Sequence, residues 1–170
     1  VPVVAPDNHQ GAFVGTRHLI GKGHRRIAFL GGFPDMVVYH QRVGGYKAAL
    51  AAAGIEVDDA LIVEADTNRK GGMGALETAL ARDPQISAAL CFNDAVAFGA
   101  MIRLRKRGLE PGQDFAIVGF DDVAEAQHYV PALTSVAVDT AGLGERAAHM
   151  MLNMIRGGTT HAADHIGAVN

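Results

Sequence analysis

The chain has 170 residues, 49% of them hydrophobic, with 21 glycines, no tryptophan, one cysteine and a formal net charge of −3. A folded chain of this length hides roughly 70% of its unfolded surface, so a full core is within reach, and the Ala and Gly excess suits helices packed on a sheet rather than a β-sandwich. The acidic balance lacks the electrostatic footprint of a polypeptide that grips nucleic acid by its own surface, a single Cys91 rules out an internal disulfide framework, and no run approaches the roughly 18 apolar residues of a membrane span.

The first residues, "VPVVAPDNHQ", have neither the charged nor the long apolar region of a signal peptide. They open inside a strand-like run with no initiator Met, so a piece of a larger protein is expected. A helix is predicted over about 9–21, closed by Gly23. Four nearly continuous apolar runs follow: "RIAFLGG" at 26–32, "LIVEA" at 61–65, "ISAALCF" at 86–92 and "FAIVGF" at 115–120. Continuity rather than alternation marks parallel strands covered on both faces.

After the first of these runs, 38–53 sets Val43, Tyr46, Leu50 and Ala53 on one stripe and stops at Gly54. The segment 94–107 takes Asn93 or Asp94 as N-cap, carries Ala97, Ala100, Met101 and Leu104 on one face, and ends in cations that suit the helix dipole. "LTSVAV" at 133–138 leads into a last helix, 139–157, whose Leu143, Ala147, Met150, Met151, Met154 and Ile155 form a wide apolar stripe, core or interface. The tail 158–170 follows no pattern. Strand starts 25 to 35 residues apart, each gap holding one helix, give βαβ units with right-handed crossovers. The expected fold class is α/β, a doubly wound, mostly parallel sheet.

In such a sheet the ligand crevice lies beyond the carboxyl ends of the strands. The edges there are polar: "GGFPDMVVYHQR", "DTNR", "ND" and "DD". One of Asn93 and Asp94 caps a helix, which leaves the other spare, and at least one of Asp121 and Asp122 is expected to point into the crevice. Arg42 stands near a helix start, where a cation is disfavoured by the dipole and needs an anionic or hydroxyl-rich partner. An Arg, an Asn and an Asp converging there would hold vicinal hydroxyls of a sugar-like molecule.

Catalytic signals are weak. Ser87 and Ser135 lack a nucleophile-elbow setting, "GGMG" at 71–74 is no dinucleotide fingerprint, and Asp121 and Asp122, as sequence neighbours, tend to point apart. No metal site is expected: only His161 and His165, in the tail, have ligand-like spacing, and no second motif completes a set. No cofactor is implied.

"GHRRIAFLGG" at 23–32, "QRVGGYKAALAAAG" at 41–54, "FNDAVAFGAMIRLRKRGLEPGQDFAIVGFDD" at 92–122 and "PALTSV" at 131–136 together resemble the effector-binding core of the LacI/GalR family of bacterial transcriptional repressors, over residues 1 to about 157. The resemblance implies a two-lobed fold like that of periplasmic binding proteins, a small polar effector in the cleft between lobes, and a separate helix-turn-helix head through which a cytoplasmic homodimer would bind operator DNA. This chain would supply the C-terminal lobe, with helix 139–157 packing on the other lobe.

Residue by residue, the family's ligand Arg, Asn and Asp fall on Arg42, Asn93 and Asp121. Asp94 and Asp122 are left with capping and loop bracing. Thr67 stands where many relatives place a stacking aromatic, and Phe33, Val38 or Tyr39 would cover an apolar ligand face. The family's dimer contacts would fall on Val96, Phe98 and Tyr129, and the alternative that these three are core stays open. Two other readings stay open: a periplasmic sugar receptor of an uptake system, which shares the lobe fold, and an enzyme using Asp121 with Asp122.

Overall fold

The structure, a computed structural model, describes residues 3–156 and 164–166. Five strands, β2 (Ile27–Leu30), β3 (Ile62–Val63), β4 (Ala88–Cys91), β5 (Ala116–Asp121) and β6 (Thr134–Ala137), form one sheet in the order β3-β2-β4-β5-β6. Every pairing is parallel, Phe29 standing opposite Leu90 and Leu90 opposite Val118. The residues of β2 and β4 are all buried, as continuous apolar runs require when both faces of the sheet are covered.

One face is covered by α1 (Asn8–Gly21) and α2 (Val37–Ala52), whose Leu19, Val43, Tyr46 and Leu50 pack on Phe29, Leu90 and Phe120. The other is covered by α3 (Arg69–Arg82) and α4 (Asp94–Lys106), whose Leu76, Ala79, Ala97 and Met101 meet Leu30, Ala89 and Cys91. The sheet is therefore doubly wound. The glycine excess has a local purpose in the α3–α4 contact: a Cβ on Gly72 would strike the Val96 carbonyl, and one on Gly99 the Arg69 carbonyl, so the two helices pack backbone against backbone.

The predicted strands and helices are present, with shifted ends. At "LIVEA" more than half of the expected strand is lost, and only Ile62 and Val63 form β3: Leu61 closes a single 3₁₀ turn opened by the Asp58 side chain, and exposed Glu64 interrupts the run before Ala65 bridges to Gly32. At the amino ends of the strands, Arg26 bonds both Asp83, at 2.7 Å through Nε, and Asp58, at 3.0 Å, joining the turns that follow α2 and α3.

Two expectations are corrected by burial. Val96 and Phe98 are 0% and 2% exposed in the α3/α4 core, so neither presents a dimer surface; of the three residues, half-buried Tyr129 alone reaches the outside, stacked on Phe98 at 4.2 Å between ring centroids. Tyr39 is also core, edge-on to Phe29 at 6.1 Å, and leaves any apolar cover to exposed Phe33 and half-buried Val38.

Outside the sheet, β1 (Val4–Pro6) pairs in parallel with β7 (Asp164–Ile166). Of the tail 158–170, only those three residues lie within the described residues, and His161 lies outside them. Helix α5 (Thr140–Ile155), opened by the Asp139 side chain, buries none of its residues and leaves Met151, Leu152, Met154 and Ile155 exposed.

Candidate functional site

From β2 the chain runs outward to β3 and then crosses back to β4, so the strand order reverses between β2 and β4 and a crevice opens beyond their carboxyl ends. The amino ends of α1, α2, α3 and α4 meet this rim. Arg42, in the second turn of α2, leans across it with its side chain 8% exposed. Nε donates to Asn8 Oδ1 at 3.0 Å, Nη1 to the Phe92 carbonyl and Nη2 to Asp121 Oδ1 at 3.3 Å. Its guanidinium lies 3.6 Å above the Phe120 ring centroid and 4.9 Å from that of Phe92.

Three of the five guanidinium N–H groups are thus engaged, and the other two make no hydrogen bond among the described residues. The partner that Arg42 needs at a helix start is Asp121, the last residue of β5, whose side chain is 41% exposed and so keeps acceptor capacity.

Burial lowers the Arg42 pKa and outweighs the opposing field of Asp121, while the Asp121 carboxyl is raised by burial despite Arg42 beside it. Desolvation thus dominates for both members of the pair. The guanidinium stays charged at neutral pH all the same.

Asn93 is the N-cap of α4: its Oδ1 accepts from Val96 N at 2.9 Å, and its Nδ2 donates to the Thr67 carbonyl at 3.2 Å. Half-buried Thr67 joins the rim through that carbonyl. Val38 stands one helical turn before Arg42, packed on the α1/α2 core. Arg42, Asn93, Asp121 and Thr67 are therefore brought to one rim, with Val38 at its margin. Beside Asn93 and Asp121 lies an open concavity of ≈ 330 Å³, walled by Ala95, Phe98, Val123 and an exposed Arg69–Glu125 pair bonded at 2.6 and 2.7 Å.

The expected division of labour between Asn93 and Asp94 is corrected. With Asn93 capping, Asp94, 1% exposed, braces the loop after β5: its Oδ2 accepts from Val123 N at 2.8 Å and its Oδ1 from Ser135 Oγ at 2.5 Å. Burial raises the Asp94 carboxyl against those two hydrogen bonds, and the carboxylates of Asp121 and Asp122 push it further up. Asp122 braces through its backbone, donating N–H to Ser135 Oγ at 3.1 Å, while the residue is exposed.

Asn8, Phe92 and Phe120 complete the seat of Arg42 and were not foreseen. Asn8 had a signal. Asp7 caps α1 by accepting from Gln10 N at 2.8 Å, so in "DN" at 7–8, as in "ND" at 93–94, one polar residue caps and the second bonds to other elements. Asn8, 3% exposed, is itself held by Gln41 Oε1 at 2.9 Å.

Residues 16–168 match the family of periplasmic binding protein-like domains. The chain is similar to the HTH-type transcriptional regulator CelR of Thermobifida fusca, 38% identical over 94% of this chain and 47% of that protein, and to the HTH-type transcriptional regulator GalR of Escherichia coli K12, 34% identical over 88% and 43%. It spans about half the length of the curated relatives it matches. Among solved structures, a CelR–cellobiose complex superposes with a TM-score of 0.91 at 36% identity, over 99% of this chain and 51% of that one, and the Escherichia coli repressor AscG with 0.88 at 33%, over 98% and 60%. The relatives are transcriptional regulators, and no described helix is long and apolar enough to cross a membrane. With its doubly wound parallel sheet and the "R-x-x-G-Y", "ND" and "GFDD" edges, the chain belongs to the periplasmic binding protein-like domains of LacI/GalR-type regulators.

Proposed function

We propose that this chain is the effector-sensing lobe of a DNA-binding regulator, binding a small polar, sugar-like metabolite at the Arg42–Asn93–Asp121 rim and coupling its occupancy to operator affinity. The observation that carries the reading is the Arg42–Asp121 contact at the strand-order switch, with spare donors on one side and an exposed acceptor on the other. Vicinal hydroxyls donate to a carboxylate and accept from a guanidinium at once, and each such bond to a charged group contributes about 1.5–3 kcal/mol. The cellobiose in the CelR complex supports a saccharide. Thr67 and Asn93 offer further polar contacts, and Val38 with Phe33 an apolar margin.

A second lobe closes the cleft in this reading, and the unburied apolar stripe of α5 packs on it. Operator contact belongs to a separate head, in a cytoplasmic homodimer to which Tyr129 contributes. Coupling of this kind amounts to about 1–3 kcal/mol. In the full-length protein, Asp121→Ala is expected to leave operator binding intact while abolishing the response to a saccharide panel that includes cellobiose. An unchanged response in that variant refutes the reading.

A further inference from the structure

We propose that Asp94 is a positioning residue for the effector site: its buried carboxylate fixes the left-handed turn at Asp121 and Asp122, and with it the direction in which Asp121 presents its own carboxylate. The proposal rests on the reading of Asp121 as an effector ligand, and goes beyond it by assigning what sets that ligand.

Asp121 and Asp122 have φ values of 103° and 52°, consecutive residues with side chains in a region that favours glycine. Such backbone persists only where the surroundings over-determine it. Here Asp94 does so on two routes. It takes the Val123 amide directly, and it takes the Ser135 hydroxyl, whose oxygen in turn accepts the Asp122 amide. The neighbouring strand makes room for it, since a Cβ on Gly119 would collide with Asp94 Oδ1.

Neither capping nor direct effector contact is open to it. Capping belongs to Asn93, and both Asp94 oxygens are already committed to Val123 and Ser135. Burying this carboxylate beside those of Asp121 and Asp122 is costly, and the hydrogen bonds it takes from Val123 and Ser135, which no apolar side chain could take, offset that cost. What the carboxylate supplies is direction for the turn that ends in Asp121.

The test uses the full-length protein and two readouts that need no effector: amide hydrogen exchange at Asp122 and Val123, and the carboxyl titration of Asp121 followed by NMR. Asp94→Ala is expected to speed exchange at both amides by about tenfold or more, with Leu90 and Val118 unchanged, and to bring the Asp121 titration down to the ordinary carboxylate range as the side chain swings into solvent. Asp94→Asn keeps an acceptor for Val123 and is expected to stay near the parent in both. Adding Asp122→Gly to Asp94→Ala removes the conformational penalty at 122 and is expected to recover part of the exchange protection.

Unchanged exchange and titration in Asp94→Ala overturn the proposal, and so does an Asp94→Asn effect as large as that of Ala. Should Asp94→Ala not fold, Ser135→Ala cuts only the relay; faster exchange at Asp122 then supports the proposal and parent-like exchange overturns it. If Asp121→Ala loses the saccharide response while Asp94→Ala moves neither readout, the proposal falls alone and the effector reading stands. A retained response in Asp121→Ala removes both.

Discussion

Two arginines, one at each end of the sheet, make the same kinds of bonds in different solvent. Arg26, at the amino ends of the strands, holds Asp58 and Asp83 with its side chain 40% exposed, and those hydrogen bonds raise its pKa. Arg42, at the carboxyl ends, is 8% exposed, and burial drives its pKa down despite Asp121. An exposed pair costs little desolvation and stabilises little. A buried one costs much, and is kept where a ligand can use the unspent donors and acceptors. The same side chain is a clasp at one end and, on the proposed reading, an effector contact at the other.

The comparison breaks most visibly at Arg42. Arg42→Met leaves Asn8 Oδ1, the Phe92 carbonyl and Asp121 without their cation, and unfolding free energy is expected to fall by about 3 kcal/mol, with saccharide binding lost. Arg42→Lys should not restore binding, because an ammonium cannot reach three acceptors in a plane while lying flat on Phe120. Chemical denaturation and calorimetry of the full-length variants measure both. Binding retained in the Lys variant would reduce Arg42 to a point charge.

Acid sharpens the same contrast. Asp94 and Asp121 have folded pKa values above their ordinary ones, so the stability each contributes is present below its unfolded pKa and lost as pH rises through the folded value. On acidification from pH 7 these two groups therefore add stability, while protonation of Asp121 dissolves its pairing with Arg42 and weakens the site. Asp83 behaves in the opposite sense: a backbone hydrogen bond from Gln85, then Arg26, hold its pKa down, so its contribution is lost only as pH falls below the usual carboxylate range. The expected outcome is saccharide affinity that declines before fold stability does, with the decline absent in Asp121→Asn. Affinity and denaturation midpoints measured together at intervals from neutral pH down through the carboxylate range check it; parallel loss of both would contradict the assignment.

What could be read before folding follows the same division. Strands such as "FAIVGF" are legible because burial on both faces leaves no room for alternation. Arg42, Asn93 and Asp121 are legible because each is a polar residue beyond what local capping needs. Which member of "ND" caps was misjudged, since both can cap and the choice depends on Ser135 and Val123, loop groups that α4's own sequence does not contain. The outward reading of Val96 and Phe98 failed because α3, brought close by Gly72 and Gly99, covers that face of α4. Asn8 was missed for want of applying to "DN" the reasoning used on "ND".

The smallest expected effect lies at the clasp. Arg26→Ala removes a pair whose members are part-exposed, so a loss of roughly 0.5–1 kcal/mol is expected, reduced further by salt. Saccharide affinity should stay at the parent value, because Arg26 sits at the opposite end of β2 from the rim and no described hydrogen bond joins its cluster to Arg42, Asn8 or Asp121. A thermal melt in low and high salt beside a saccharide titration decides the matter. A binding defect in Arg26→Ala as large as that in Arg42→Met would mean that the two ends of the sheet are coupled through β2, and the separation of clasp from site would fail.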